Sequence, residues 1–334
     1  MNEWLSNKFK WLSFVATWAV VCIHSRNGQW VSNVEDWATR LQDFIMPAFN
    51  FAVPLFFAIS GFFFVSSYDK CVTGGGHFFL RKIRSLYVPA VLWLWINLVF
   101  RLPIRWGTSH SLPSFFDSLF CPVLLWIERG EAVQFWYVRA LLFLFILAPV
   151  LRLIVRKWYL ALAVILYFSI APSWPDYQEG GYNLIRQFPV SISFFLLGAA
   201  ISANSKFVAR IHSNSKLGIV IALVGLALSF LPNHNGSRFG QILFLWGLYD
   251  IIDHFWTIPK LPKWMACCFF VYCVHMIVMG WVGGVLKLSF GTSPLARTVS
   301  YFIRWMTFGL DVVLANLVAR YFPRVYAVLS GGRT

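Results

Sequence analysis

Apolar side chains occupy the chain in ten long runs that short polar segments separate. The first run, Phe9 to Ile23, is apolar on every face of a helix and stops at His24. A helix with this pattern is buried in hydrocarbon or among other helices, because it has no face for water. About 20 apolar residues cross the hydrocarbon core of a bilayer. The pattern predicts spans over residues 9–25, 44–66, 86–104, 132–151, 158–173, 184–203, 216–232, 239–257, 265–286 and 298–322.

The composition agrees with this pattern. Hydrophobic residues make up 59% of the chain and charged residues 12%, whereas about a quarter of the residues in soluble domains are charged. The predicted fold is therefore an all-α, polytopic transmembrane helical bundle of about ten spans, with residues 1–334 as a single integral membrane domain. The cysteines show no Cys-x-x-Cys spacing, so we expect neither a disulfide framework nor a zinc site.

The distribution of charge predicts the orientation of the bundle. Lysines and arginines are scattered between the apolar runs, which argues against a nucleic-acid partner despite a net charge of +15. Alternate connections are rich in these cations, while most of the acids lie in the others. By the positive-inside rule, both termini are expected to be cytoplasmic, and we expect a multi-pass protein of the cell inner membrane. The amino-terminal segment does not have the pattern of a cleavable signal peptide.

The longest connection, Arg105 to Glu131, is predicted to lie on the outer side. Its apolar stretches are too short to cross the bilayer, which indicates a re-entrant or interfacial helix. Such a helix either roofs a cavity or lies on the surface, and the sequence leaves both alternatives open.

His24 is the first candidate for chemistry. At about 1.5 Å of rise per residue, its ring lies ~21 Å beyond Lys10, in the outer half of the hydrocarbon core. A histidine pKa near 6.5 suits a general base at neutral pH. The alternative is a half-solvated histidine at the outer interface, and spacing alone does not separate the two.

Two further stretches place unusual residues in or beside the early spans. Pro54 interrupts the second span and Ser60-Gly61 follows it, which indicates a small-residue packing face or a polar notch. Arg81, Lys82 and Arg84 fall within about one helical turn. They suit a phosphate-bearing ligand, but equally the headgroups of anionic lipids or the orientation signal alone.

Later spans carry polar side chains at membrane depth. Tyr137 suits the interfacial aromatic belt, while Arg139 lies slightly deeper, where a charge is usually paired or functional. His275 lies near the middle of the ninth span. Arg304 and Asp311 share one face of the tenth span, where they either neutralise each other through a third group or line a polar cavity. A last group, expected to contact water at the cytoplasmic end of the eighth span, comprises Asp250, Asp253 and His254.

In their order along the chain, these stretches resemble the acyltransferase-3 family of ten-helix membrane acyltransferases, with the greatest likeness to bacterial O-acetyltransferases that act on surface polysaccharides. The matching stretches are Val20–His24, Val53–Phe62, Arg81–Arg84 before Pro89, Phe135–Leu142 and Phe269–His275. The resemblance implies transfer of an acyl group, usually acetyl, from cytoplasmic acyl-CoA to a hydroxyl of an extracytoplasmic or lipid-linked glycan. It implies no metal.

The resemblance also assigns roles to residues. It makes His24 the catalytic base, and candidates for stabilising the oxyanion of the reaction are Arg139, Tyr137 and Ser60. Residues expected to contact the acetyl-CoA donor are Lys10, Arg81, Lys82, Arg84 and His275. The family usually has an arginine where this chain has Ser13. Lys10 would replace that arginine as a point charge but not as a bidentate fork, and a changed substrate or an inactive member are the alternatives.

A second class of function uses the same polar residues. A transporter or flippase for a glycan or lipid intermediate would line its path with His24, Arg139, His275, Arg304 and Asp311. Discontinuous helices and two related halves would favour such a protein, and the sequence shows no internal symmetry between the halves. A purely structural scaffold leaves the intramembrane charges unexplained. Besides the lipid bilayer, a second copy of the chain is a candidate partner.

Overall fold

The computed structural model describes residues 3–25, 36–73, 77–109, 115–125, 133–170, 184–232 and 234–333. Regular structure in these residues is entirely helical, which confirms the predicted all-α class. The α-helices are α1 (Glu3–His24), α2 (Trp37–Ile45), α3 (Ala52–Thr73), α4 (Phe78–Lys82), α5 (Val88–Ser109), α6 (Phe115–Val123), α7 (Trp136–Ile146), α8 (Ala148–Arg156), α9 (Trp158–Ile170), α10 (Leu184–Ala203), α11 (Ser205–His212), α12 (Ser215–Ser229), α13 (His234–Trp256), α14 (Cys268–Phe290), α15 (Pro294–Tyr321) and α16 (Pro323–Leu329). Shorter helical turns are Met46–Phe49, Ile83–Tyr87 (a π-helix), Val133–Phe135 and Lys263–Met265.

Helices cover most of each predicted span. Within the described residues, four stretches are long and apolar enough to cross a bilayer: Trp37–Cys71, Phe78–Phe100, Cys268–Phe290 and Pro294–Tyr321. These stretches make the chain a membrane protein. Ten crossings and cytoplasmic termini stay predictions. In the long connection before α7, α6 has 9 residues and is too short to cross, as expected.

The fourth predicted span is broken. Val133–Ile146 and Ala148–Arg156 meet at an angle of 72° and together would form a fifth crossing. The break falls at Leu147, just before Pro149. Proline has no N–H for the helical ladder, and its ring clashes with the carbonyl four residues earlier, so the helix cannot continue straight.

Two compact units make up the chain. The first unit contains Met1–Ser13, Phe51–Lys82 and Arg139–Leu261, and the second contains Phe14–Asn50, Ile83–Val138 and Pro262–Thr334. Helix α1 begins in the first unit and ends in the second.

The first unit is held together by close helix crossings. At the crossing of α3 and α10, a Cβ on Gly61 would overlap with the carbonyl oxygen of Phe195, and one on Gly198 would overlap with that of Ala58. Such backbone contact is typical of small-residue interfaces in membranes. Of the two interpretations of Ser60-Gly61, the structure favours the packing face.

Replacing Gly198 with alanine is therefore expected to destabilise the protein by about 1–3 kcal/mol, because the added methyl group forces α3 and α10 apart. The matched control is Gly280→Ala in α14, where an added Cβ meets nothing within 4 Å. Thermal unfolding in detergent measures both. A Gly198→Ala protein that melts at the same temperature as the control would show that this crossing is less close than described.

In the second unit, α14 and α15 pack along each other, and α5 and α16 pack against them. The Trp93 Nε1–H of α5 donates to the carbonyl oxygen of Leu329 at 3.0 Å, and the ring of Phe270 stacks on that of Tyr326 at 5.4 Å between centroids. These contacts hold the first turns of α14 in a fixed place, directly before its histidine.

Candidate functional site

The end of α1 and the middle of α14 bring two histidines together in the second unit. The ring centroids of His24 and His275 lie 5.3 Å apart, and the rings are tilted by 40°. His275 is fully buried, whereas His24 keeps part of its surface exposed. Because a group that reacts with an incoming substrate must be accessible, His24 is the better placed of the two for direct attack.

A backbone contact fixes the orientation of His275. Its Nδ1 lies 2.7 Å from the carbonyl oxygen of Tyr272. A carbonyl oxygen only accepts, so Nδ1 carries the proton and, in a neutral ring, Nε2 carries the lone pair. The ring beside His24 therefore has one defined tautomer. The sequence predicted His275 as a donor contact, and the structure adds its place next to His24.

The segment that opens α7 is docked on the same part of α14. The hydroxyl of Tyr272 donates to the carbonyl oxygen of Gln134, and both residues are buried. The rings of Phe135 and Tyr137 lie 6.0 and 5.9 Å from that of Tyr272. Three of the stretches that carry the family resemblance thus meet in one place: the end of α1, the start of α7 and the first turns of α14.

A cation from α15 reaches the end of α1. Arg304 donates to the carbonyl oxygen of Ser25 at 3.4 Å, one residue beyond His24. A side chain at Gly283 would collide with this guanidinium, so the glycine makes room for it. Neither carboxylate oxygen of Asp311 has a hydrogen-bond partner among the described residues. Arg304 thus bonds to the residue that follows α1, which the sequence did not predict.

The remaining predicted site residues divide between the units. Tyr137 and the exposed Arg84 belong to the second unit with His24. Within the first unit, Arg81 contacts the sulfur of Cys71, and the Lys82 ammonium lies 4.6 Å from the ring centre of Phe145. The other predicted site residues of the first unit are Ser60, Arg139 and Lys10.

Within the first unit, Lys8 is the buried cation near the start of α1, and Lys10 is exposed. The Nζ of Lys8 lies 2.8 Å from Oδ2 of Asp250 and 3.7 Å above the ring centre of Trp246. The expectation that Asp250 contacts water is wrong, since 2% of its surface is exposed. The ion pair with Lys8 explains how this carboxylate tolerates burial.

A histidine extends this network. The Nδ1 of His212 lies 2.8 Å from Oδ1 of Asp250, and its Nε2 lies 3.6 Å from a carboxylate oxygen of Asp253. Its ring stacks on Trp4 at 3.8 Å between centroids. The network joins α1, α11 and α13, and none of its contacts was predicted from the sequence. It fastens the beginning of the helix that carries His24 at its other end.

Comparison with known proteins identifies the class. The fold is that of a helical membrane protein, and the profile of the acyltransferase-3 family, described as an acyltransferase domain, matches residues 7–312. The chain belongs to this family and is an acyltransferase. A curated relative, the succinoglycan biosynthesis protein ExoH of Rhizobium meliloti (strain 1021), is 24% identical over 316 residues, covering 86% of this chain and 80% of the relative. No solved structure matches the chain.

Proposed function

We propose that the protein is a membrane O-acyltransferase that moves an acetyl or other short acyl group from acyl-CoA to a hydroxyl of a glycan or lipid-linked glycan. His24 is the general base. The observation that carries the proposal is the partly buried His24, whose ring lies 5.3 Å from that of the buried His275, in a chain that belongs to an acyltransferase family.

The chemistry requires one proton to move twice. The neutral imidazole of His24 takes the proton of the acceptor hydroxyl while its oxygen attacks the carbonyl carbon of the thioester. A C–O bond forms, and the carbonyl oxygen becomes an oxyanion. When this intermediate collapses, the C–S bond breaks and the departing CoA thiolate takes the proton from the imidazolium. Proton transfer by a positioned base contributes about 10²- to 10⁴-fold to such a rate.

Cationic and polar groups supply the rest of the site. Tyr137, Arg139 and Ser60 are the candidates for stabilising the oxyanion. To these we add Arg304, because it bonds to the residue after His24. Arg81, Lys82 and Arg84 are proposed to bind the phosphates of the donor. Lys10 is proposed to contact the donor in place of the arginine that the family has where this chain has Ser13. Arg84 is the best supported of the basic run, since it is exposed in the unit that contains His24.

The relative and the charge pattern support the proposed acceptor and compartment. ExoH acts in succinoglycan biosynthesis, which supports a polysaccharide or its lipid-linked precursor as acceptor. The positive-inside pattern supports the inner membrane, with acyl-CoA supplied from the cytoplasm. Membership of an acyltransferase family favours group transfer over the alternative of transport.

The proposal is tested with purified protein in lipid nanodiscs, radiolabelled acetyl-CoA and a panel of soluble and lipid-linked glycans. We expect labelled ester on a glycan and an equal amount of free CoA thiol. Acetyl-CoA that stays intact with every acceptor, and without one, would contradict the proposal. Movement of an unmodified glycan across a vesicle membrane would support transport instead.

A further inference from the structure

We propose that Arg333 binds a phosphate group of the acyl-CoA donor, together with Arg84, at one end of the second unit's site. This assignment rests on the proposed function and names a donor contact that the basic run at 81–84 does not include. The positions that define this end of the site, which we name the phosphate corner, are Arg84, Ser85, Phe269 and Arg333.

The segment after α16 is shaped to reach the phosphate corner. Gly331 and Gly332 both have positive φ, at 66° and 75°, which glycine adopts without strain. The N–H of Gly332 donates back to the carbonyl oxygen of Ala327 at 2.7 Å, so the chain reverses at the end of α16. A Cβ on Gly331 would overlap with the carbonyl oxygen of Ser85. Only a glycine allows this close approach.

The same approach fixes the guanidinium of Arg333. Its Nη1 donates to the carbonyl oxygens of Ser85 at 3.1 Å and Ser330 at 2.9 Å. Its Cζ lies 4.3 Å from the ring centre of Phe269. Two backbone bonds and an aromatic face hold the group in place while the side chain stays exposed. Of the five N–H donors of an arginine, those on the other two nitrogens remain to bind an anion.

The charges around Arg333 favour an anion. Arg84 directly precedes Ser85 in the π-helical turn, so a second exposed cation lies one residue along the chain from the carbonyl group that Arg333 contacts. Among the described residues, no carboxylate is within ion-pair distance of Arg333; the ionisable groups that influence it are Tyr137 and Cys273. Protein packed around the guanidinium lowers the pKa of Arg333 below its usual value, and these two groups act to raise it, while the residue as a whole keeps exposed surface. An arginine fork without an acidic partner is suited to phosphate.

The phosphate corner is linked to the histidine pair by α14. Phe269, under the guanidinium, and His275, beside His24, are six residues apart on this helix, which corresponds to a rise of about 9 Å. Tyr272 and Cys273 lie between them, and Tyr137 contacts the ring of Tyr272. In acyl-CoA, phosphates and thioester lie at opposite ends of a flexible arm. When a phosphate of acyl-CoA is bound at Arg333, the flexible arm can therefore lie along α14 and place the thioester near His24.

The test compares ligands with and without phosphate. Isothermal titration of the protein in neutral-lipid nanodiscs measures the Kd of CoA and of pantetheine, which carries the thiol arm but no phosphate. Arg333→Gln is expected to weaken CoA binding by about 10- to 100-fold, the loss of a hydrogen bond to a charged group, and to leave pantetheine binding unchanged. Arg333→Lys, which keeps the charge without the fork, is expected to fall between. The matched control is Arg320→Gln, an exposed cation at the end of α15.

Each outcome separates one explanation. If Arg333→Gln weakens the binding of CoA and of pantetheine equally, Arg333 has a structural role and the assignment is wrong. If Arg333→Gln leaves CoA binding unchanged, the assignment is also wrong, but the proposed function stands as long as the wild type transfers acetyl groups. A wild type that neither binds CoA nor consumes acetyl-CoA would overturn the proposed function, and this assignment with it. The titration is repeated in nanodiscs containing anionic lipid. If Arg333→Gln changes only the response to that lipid, Arg333 binds a headgroup and the donor assignment is wrong.

Discussion

Replacing His24 with alanine is expected to lower acetyl transfer from acetyl-CoA by about 10²- to 10⁴-fold, the contribution of a positioned general base. The protein should remain folded in the membrane, because His24 is only partly buried and is the last residue of α1. The measurement is kcat/KM of the purified variant, with the melting temperature recorded in parallel.

Two comparisons separate a catalytic role of His24 from a structural one. The matched control is His254→Ala, an exposed histidine in the first unit, which should transfer acetyl groups at the wild-type rate. Added imidazole should restore part of the rate of His24→Ala, since it supplies the missing base. A His24→Ala protein that keeps its rate within a few-fold of the wild type would remove His24 from the mechanism.

Replacing Lys8 with methionine is expected to destabilise the protein by about 3–5 kcal/mol. Methionine fills a similar volume, but it leaves the buried carboxylate of Asp250 without the ammonium that lies 2.8 Å away. Removing one partner of a buried ion pair costs far more than the pair itself stabilises, and His212, at 2.8 Å from Oδ1, stays beside the carboxylate. Chemical or thermal unfolding of the purified protein in detergent measures the change.

The matched control for Lys8→Met is Lys10→Met, two residues along the same helix. Lys10 is exposed, so its replacement should alter stability by less than about 0.5 kcal/mol, as for most surface substitutions. The double variant Lys8→Met/Asp250→Leu should recover part of the loss, because it removes both charges, although His212 then loses its partner at 2.8 Å. Equal stability of Lys8→Met and Lys10→Met would contradict the buried ion pair.

Helix positions could be predicted from the sequence, whereas the burial of individual charges could not. An apolar run of sufficient length has few alternatives to a helix, so helices cover the ten predicted segments. Lys8 and Lys10 are equivalent as sequence signals, yet two residues place them about 200° apart around the helix. Which face is buried depends on α11 and α13, which are distant in the sequence. The break before Pro149 carried a recognisable signal, since proline interrupts a helical ladder.

In the candidate site, too, individual residues could be predicted from the sequence but the contacts between them could not. The motifs made His24 and His275 separate candidates, but their contact at 5.3 Å depends on how α1 packs against α14. Nothing in the sequence separates Arg333 from the other cations that lie outside the apolar runs. The Gly331-Gly332 pair before it was the available signal for a tight reversal, but the target of that reversal, Ser85, could only be found in three dimensions.

The central claim, that His24 faces the donor thioester, is tested most directly by affinity labelling with bromoacetyl-CoA. This reagent places an alkylating carbon where the acyl group of the donor would lie. Mass spectrometry of the digested protein is expected to find the modification on the His24 imidazole, and excess acetyl-CoA should prevent it. Labelling that acetyl-CoA prevents at another residue, with His24 unmodified, would contradict the account.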